Sequence, residues 1–450
     1  MKKILIIPAN TDLNRGDQAL IWESARLVED IYGKDNVSFS VIASNEGEAS
    51  ELQKHQTAAL GFKFVPALLN HPSRKFKHNN DDSKAYTKGT MLKWGIQAIL
   101  DYLHTFMLLS KCSAVRRFGQ CFLNTSEKDT LHAFTESDAI FVKGGGFLHS
   151  YGAVTDPYFI YFLTYHIRLA IALGKKVYML PNSIGPLKNP IARRIAIKAL
   201  KGCKLVTVRE NISRDFLGSI GIFSELFPDL GFFLKPIEKN MDNYLAKRGV
   251  PIEGKKVVLT LRPYRFQGYD NSDRLYENYL NGTVRLVEHL HAKGYHTSFL
   301  AHTLGPSAHE DDRLAIKEVI SRLDDDDRKN ISYLEDINLT CRDVEKIYSS
   351  FDYMIGTRFH SVIFSLNVNV PSIAIAYGGN KGKGIMNILG NDAFSIDMDK
   401  IREDSLMNLF DKLEHERGNY LHNLTEKRQV INRQREALIV QIQTLDKSNR

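Results

Sequence analysis

Cysteine is scarce: the 450-residue chain has four, Cys112, Cys121, Cys203 and Cys341, and no CxxC pair. That argues against a disulfide framework or a zinc site and fits a reducing compartment. Long apolar runs are missing too. A membrane span needs about 20 consecutive apolar residues. The nearest stretch, "WGIQAILDYLHTFMLL", is broken by Asp101 and His104. The opening "MKKILIIPAN" has too short an apolar run for a signal peptide and reads as a first strand. A cytoplasmic protein is expected, with a peripheral contact at the inner face of the membrane as the form of membrane association open to it. Concentrated charge is also lacking. Sixty Lys and Arg against 52 Asp and Glu give a net +8, too diffuse for nucleic acid, and no nucleic-acid motif is present. A mildly basic balance suits small anionic substrates or an anionic lipid surface.

What is present is ordinary for a globular protein, 43% hydrophobic and 25% charged, and long enough for two or three domains. Short β-branched runs ("KILIIPA", "VSFSVIAS", "DAIFVKGGG", "KVYMLPNSIGP", "LVTVRE") alternate with helical patterns. This predicts βαβ units on a parallel sheet over residues 1–240. Residues 70–125 interrupt the rhythm with a polar, basic stretch and an apolar helix with basic ends. That helix reads either as packed on the domain or as lying on a membrane surface. The alternation resumes over 253–395, and 396–450 reads as a charged helical tail. The fold class is therefore α/β, with two Rossmann-like doubly wound domains facing a central cleft. In such folds the loops after the strands hold the ligand.

Those loops carry the candidate residues. After the first strand come Asn10, Asn14, Gly16 and Asp17, before a helix whose amides can face an anion; Asp17 reads equally as its N-cap. Gly144, Gly145 and Gly146 follow a strand and can form an amide nest, or simply a tight turn. Arg209 ends another strand. In the second half Arg262, His302, Arg358 and His360, then Tyr377 and Lys381, each follow a strand. Buried charge is costly unless it is paired or used, and at the mouth of the cleft a substrate anion, rather than a group of the chain, is the expected partner of Arg358. Together these residues describe a site for a compact, multiply charged anion, gripped by arginine and within reach of a proton-donating histidine.

The order of "NRGDQAL", "KGGGFL", "SIGPL", "TVRE", "PDLGF" and "GTRFHSVIFSLNVNVPSIAIAYGGNKGKG" resembles the polysaccharide pyruvyl transferase family, from the first strand to about residue 390. The Arg358-Phe359-His360 element is the most specific part, with Phe359 where the family often has leucine. The resemblance implies a B-type glycosyltransferase-like fold and transfer of pyruvate from phosphoenolpyruvate onto a sugar of a cell-surface polysaccharide or its lipid-linked precursor. It implies Arg358 and Arg209 as donor-binding catalytic groups, His360 as general acid, and no metal or further cofactor. A nucleotide-sugar-dependent glycosyltransferase of the same fold is the alternative, and a non-enzymatic scaffold of glycan assembly a third reading.

Overall fold

The computed structural model describes residues 1–43, 48–69, 88–266, 269–377 and 381–448. The alternation seen in the sequence becomes two parallel sheets. The first holds β1 (Lys2–Asn10), β2 (Val37–Ala43), β3 (Lys63–Val65), β4 (Ala139–Val142), β5 (Gly145–Ser150), β6 (Lys176–Leu187), β7 (Leu205–Val208) and β8 (Glu225–Leu226). Their order is β3-β2-β1-β4-β6-β7-β8, with β5 pairing β6. The second holds β9 (Lys255–Thr260), β10 (Tyr295–Leu300), β11 (Ile331–Leu334), β12 (Tyr353–Gly356), β13 (Ser372–Ala376) and β14 (Ser395–Asp397), in the order β11-β10-β9-β12-β13-β14. β4, β7, β12 and β13 are buried at every position. Strands covered on both faces need such continuous apolar runs rather than alternation.

The chain divides into two compact units. Unit 1 is Met1–Asp12, Leu20–Leu230 and Gln434–Arg450; unit 2 is Leu13–Ala19 and Gly231–Arg433. These limits differ from those drawn on the sequence in two ways. The short segment Leu13–Ala19 belongs to unit 2, although it follows β1. The stretch from 396 is not an appendage. The expected boundary falls inside β14, which pairs with β13. The helix Arg417–Lys447 then buries Tyr420, Leu424 and Ile431 in unit 2 and Leu438 and Ile442 in unit 1. Tyr420 donates its hydroxyl to the Ser372 carbonyl (2.9 Å) and accepts from the Ser372 amide (3.1 Å). In unit 1, Asp446 receives Lys2 Nζ at 3.0 Å and Lys176 Nζ at 2.7 Å. Apolar residues four and seven apart lie on one helical face, and the many charges between them hide that stripe in the sequence.

The core of unit 1 contains one titratable group with a consequence for stability. His166, on the helix Asp156–Ala172, accepts at Nε2 from the Leu68 amide (3.3 Å) and stacks on Phe134. Burial lowers its pKa from 6.5 to about 4. An unfolded chain therefore takes up this proton first as the pH falls, so stability is full above about 6.5 and drops through the window down to about 4. The loss is on the order of 3 kcal/mol. His166→Gln, which keeps an acceptor in place but does not titrate, is expected to flatten the pH dependence of urea unfolding by up to one proton across that window. An unchanged slope would remove His166 from this role.

Candidate active site

In unit 2 the strand order reverses between β9 and β12, the point at which open α/β sheets bind ligands beyond their carboxyl ends. The neighbours on either side are β10 and β13. Four post-strand loops thus come together: His302 after β10, Arg262 after β9, Arg358 after β12 and Tyr377 after β13. The β9 and β12 ends are tied by the Thr357 amide donating to the Thr260 carbonyl (3.0 Å) and by the Ser361 and Thr260 hydroxyls, 2.8 Å apart. The Ser361 hydroxyl and amide both donate to the Arg358 carbonyl. Arg358 is thereby fixed in extended backbone as the N-cap of the helix Phe359–Asn367, whose residues Ser361 to Asn367 are all buried.

The expectation that Arg358 lacks a protein partner is overturned. Its Nε donates to Oδ1 of Asp312 and its Nη1 to Oε2 of Glu310, each at 2.7 Å. Asp312 is fully buried and also accepts from the His302 amide (3.0 Å) and the Thr303 amide (2.9 Å). Burial pushes its carboxyl up to about 6, against the pull of Arg358. Glu310 bridges two guanidiniums, since its Oε1 accepts from Arg262 Nη2 at 3.0 Å. Burial raises the Glu310 pKa, but Arg358 and then Arg262 hold it below the ordinary value. Asp312 and Glu310 escaped the sequence reading because "SAHEDD" looks like a solvated acidic loop; the pairing spans 46 to 48 residues of chain. Their side chains differ in access: Asp312 is 0% exposed and Glu310 38%.

Arg262 also lies over the Tyr377 ring, 4.3 Å from its centroid, and Tyr377 tilts against Tyr264. His302 is buried, with Nδ1 3.1 Å from the Tyr348 hydroxyl. Burial holds its pKa well below 6.5, reinforced by His360, Arg358 and Arg15. The ring therefore favours its neutral form.

The segment Leu13–Ala19 completes this cluster. The Leu304 amide donates to the Leu13 carbonyl at 2.8 Å. The helix Arg15–Tyr32 is capped by Asn14, whose Oδ1 accepts from the Gly16 (3.1 Å) and Asp17 (3.3 Å) amides. Asn14, not Asp17, is the cap; Asp17 is an acid of the first turn. Gly16 has a steric purpose: a Cβ built there would stand 2.2 Å from His360 Nδ1 and 2.7 Å from its Cβ. Arg15 was not singled out in the sequence. It is 1% exposed and donates through Nη2 to the Asp336 (3.2 Å) and Ile337 (3.1 Å) carbonyls. A signal existed, because a cation in the first turn opposes the helix dipole and needs a compensating reason.

Of the remaining sequence candidates, Arg209 and the three glycines belong to unit 1. Arg209, in unit 1, is buried, with Nε on the Ser183 hydroxyl (2.7 Å) and Nη1 paired with Asp229. Its guanidinium is thus engaged by partners within unit 1, as that of Arg358 is within unit 2. The glycine turn leads into β5 rather than a helix, with Gly145 opposite Asn182. A Cβ on Gly144 would stand 3.0 Å from the Pro181 carbonyl oxygen, and Gly145 has φ +144°. Gly144 is thus closely packed and Gly145 takes a backbone conformation that favours glycine; Gly146 is the second residue of β5. Asn10 closes β1 and Lys381 opens the helix Lys381–Ile388, and their side chains lie outside the described residues, as does the whole basic stretch 70–87.

The sequence profile of the polysaccharide pyruvyl transferases matches residues 14–379, from the N-cap of the first helix to two positions beyond Tyr377. The chain belongs to the polysaccharide pyruvyl transferase family. A curated relative, the amylovoran biosynthesis protein AmsJ of Erwinia amylovora, is 24% identical over 300 residues, 64% of this chain and 68% of that protein. Among solved structures, HepE of Anabaena in complex with UDP and glucose aligns over 99% of this chain and 100% of that one, with a TM-score of 0.55 and 10% identity. Phytolacca americana UGT2 gives 0.55 at 11% identity, with both chains fully covered. The UDP-GlcNAc 2-epimerase of Methanocaldococcus jannaschii gives 0.50 at 13%, over 91% of this chain and 92% of that one. At these identities the likeness is one of fold: two parallel-sheet α/β domains of the B-type glycosyltransferase kind. No helix among the described residues is long and apolar enough to cross a membrane.

Proposed function

We propose that this member of the pyruvyl transferase family moves pyruvate from phosphoenolpyruvate onto two hydroxyls of one sugar, in a cell-surface polysaccharide or its lipid-linked precursor. The observation that carries this reading is the Glu310 carboxylate held between Arg262 and Arg358 at the switch point of unit 2. Two guanidiniums that grip one carboxylate can grip a substrate anion in its place. Glu310 is the partner that can yield, being part-exposed on the short turn Ala308–Glu310, whereas Asp312 stays to orient Arg358.

In this proposal Arg358 and Arg262 bind the phosphate and carboxylate of phosphoenolpyruvate. His360 gives its proton to the methylene carbon, making the methyl group. The adjacent carbon becomes oxocarbenium-like and is attacked by the first sugar hydroxyl, whose proton returns to His360. The second hydroxyl then replaces phosphate, which leaves with that proton, and the ketal closes. Fixed guanidiniums and helix amides around the developing charge contribute most of the barrier lowering. The proposal invokes no metal and no cofactor beyond the donor.

The test is acceptor-dependent phosphate release from phosphoenolpyruvate, with the glycan read by mass. A ketal adduct supports the reading; turnover with nucleotide sugars and none with phosphoenolpyruvate would replace it by glycosyl transfer. Glu310→Gln is a finer test. Removing the competing carboxylate should lower KM for phosphoenolpyruvate several-fold. A raised KM would mean that Glu310 positions the arginines instead.

A further inference from the structure

The helix Lys88–Thr105 of unit 1 is amphipathic the wrong way round. Its inward face is polar. Asp101 and Thr105 are buried: the Tyr158 hydroxyl donates to Asp101 Oδ2 (2.9 Å), Gln97 Nε2 to Asp101 Oδ1 (2.7 Å), and Thr105 Oγ1 lies 2.8 Å from the Tyr161 hydroxyl. Its outward face is apolar. Leu92, Ile96, Ile99 and Leu103, at spacings of four, three and four, are 67%, 54%, 63% and 51% exposed. The chain continues into the helix Ser113–Gln120, where Phe118 packs edge to face on Phe122 just beyond the helix, the two being 60% and 53% exposed. A water-facing helix does not carry its apolar stripe outward, so this face has an occupant.

Charge identifies the occupant. Residues 88–122 contain five lysines and arginines and one acid, Asp101, which is buried. Lys93, Lys111 and Arg117 are exposed beside the apolar residues. The preceding stretch 70–87 adds, by sequence, Arg74, Lys75, Lys77 and Lys84 against Asp81 and Asp82. An apolar stripe with a basic border matches the acyl chains and anionic headgroups of a lipid leaflet. A second copy of the chain would bring the same positive border against itself. We propose that the segment Lys88–Phe122 docks unit 1 onto an anionic membrane surface, lying in its plane. The inference stands on this face alone and is independent of the chemistry proposed for unit 2.

The experiment is flotation of the full chain with vesicles of phosphatidylcholine alone and of equal parts phosphatidylcholine and phosphatidylglycerol, beside sedimentation equilibrium without lipid. The chain is expected to float with the anionic vesicles, far less with phosphatidylcholine, and to be released by high salt. Ile99→Glu, at an exposed position, should abolish flotation without lowering the melting temperature. Lys93→Glu and Arg117→Glu should each weaken partitioning, roughly fivefold per charge removed. Failure of the folded wild type to float would overturn the proposal. So would flotation indifferent to Ile99→Glu, or a stable dimer that Ile99→Glu dissociates, which would assign the face to a second copy.

Discussion

Arg358→Lys is expected to lower kcat/KM for phosphoenolpyruvate by about a thousandfold or more, the scale on which a charge-stabilising donor acts in the transition state. Lysine keeps the charge but not the planar fork. Arg358 uses one edge of that fork on Asp312 and turns Nη1 toward the Glu310 position. A lysine ammonium satisfies the buried Asp312 and has no second arm for the substrate. Because Asp312 keeps a cationic partner, the protein should stay folded, with stability falling far less than the 3–5 kcal/mol of a broken buried pair. Arg358→Ala, which strands Asp312, is expected to show that larger loss. Steady-state kinetics with a thermal melt separate the two. If the lysine variant turns over normally, Arg358 is structural and the donor-binding assignment is wrong.

The second large effect concerns Gly16. Gly16→Ala places a methyl group where His360 already stands, 2.2 Å from Nδ1 and 2.7 Å from Cβ. Contact at Cβ leaves little room for a change of rotamer alone, so the ring or its helix must shift. Displacing the group that delivers the proton should lower kcat by about a hundredfold, since misplacement by about 1 Å has that scale of effect. The result that gives this meaning is a double-mutant cycle. In a His360→Gly background the three atoms nearest the added methyl group are gone, and Gly16→Ala should cost far less than it does in the wild type. Additive losses would show that Gly16 matters for some other reason.

Much of this site was legible from one rule, that ligands lie beyond the carboxyl ends of parallel strands. The rule located Arg262, His302, Arg358 and Tyr377 from strand positions alone, and the sheet order then set them side by side. It failed where the relevant fact was a pairing rather than a position. Nothing near "GTRFH" indicates that Glu310 and Asp312 face Arg358, because a contact across 46 residues is made by the sheet, not by the local chain. The same limit hid the pairing of Arg209 with Asp229. Gly16 was legible as a residue near an anion-facing helix. Its steric relation to His360 was not, since the two belong to distant parts of the chain. The charged tail misled through composition: Tyr420, Leu424, Ile431, Leu438 and Ile442 are few among many charges, yet all are buried.

The course of the chain through the two units bears on its synthesis. It changes unit at 12/13, 19/20, 230/231 and 433/434, so no single cut releases either unit whole. Domains usually fold as units while the chain is still being made, the N-terminal one first. Here that order is unavailable. The first unit lacks Asp446, the partner of Lys2 and Lys176, until 270 residues beyond Lys176 have been made. The second has its Leu13–Ala19 segment from the outset and must wait for the rest of itself. Both units therefore reach completion long after their first strands are made, and β1 and β6 must persist without the helix Arg417–Lys447 whose Asp446 pairs with Lys2 and Lys176, which makes the nascent chain a natural client for a chaperone.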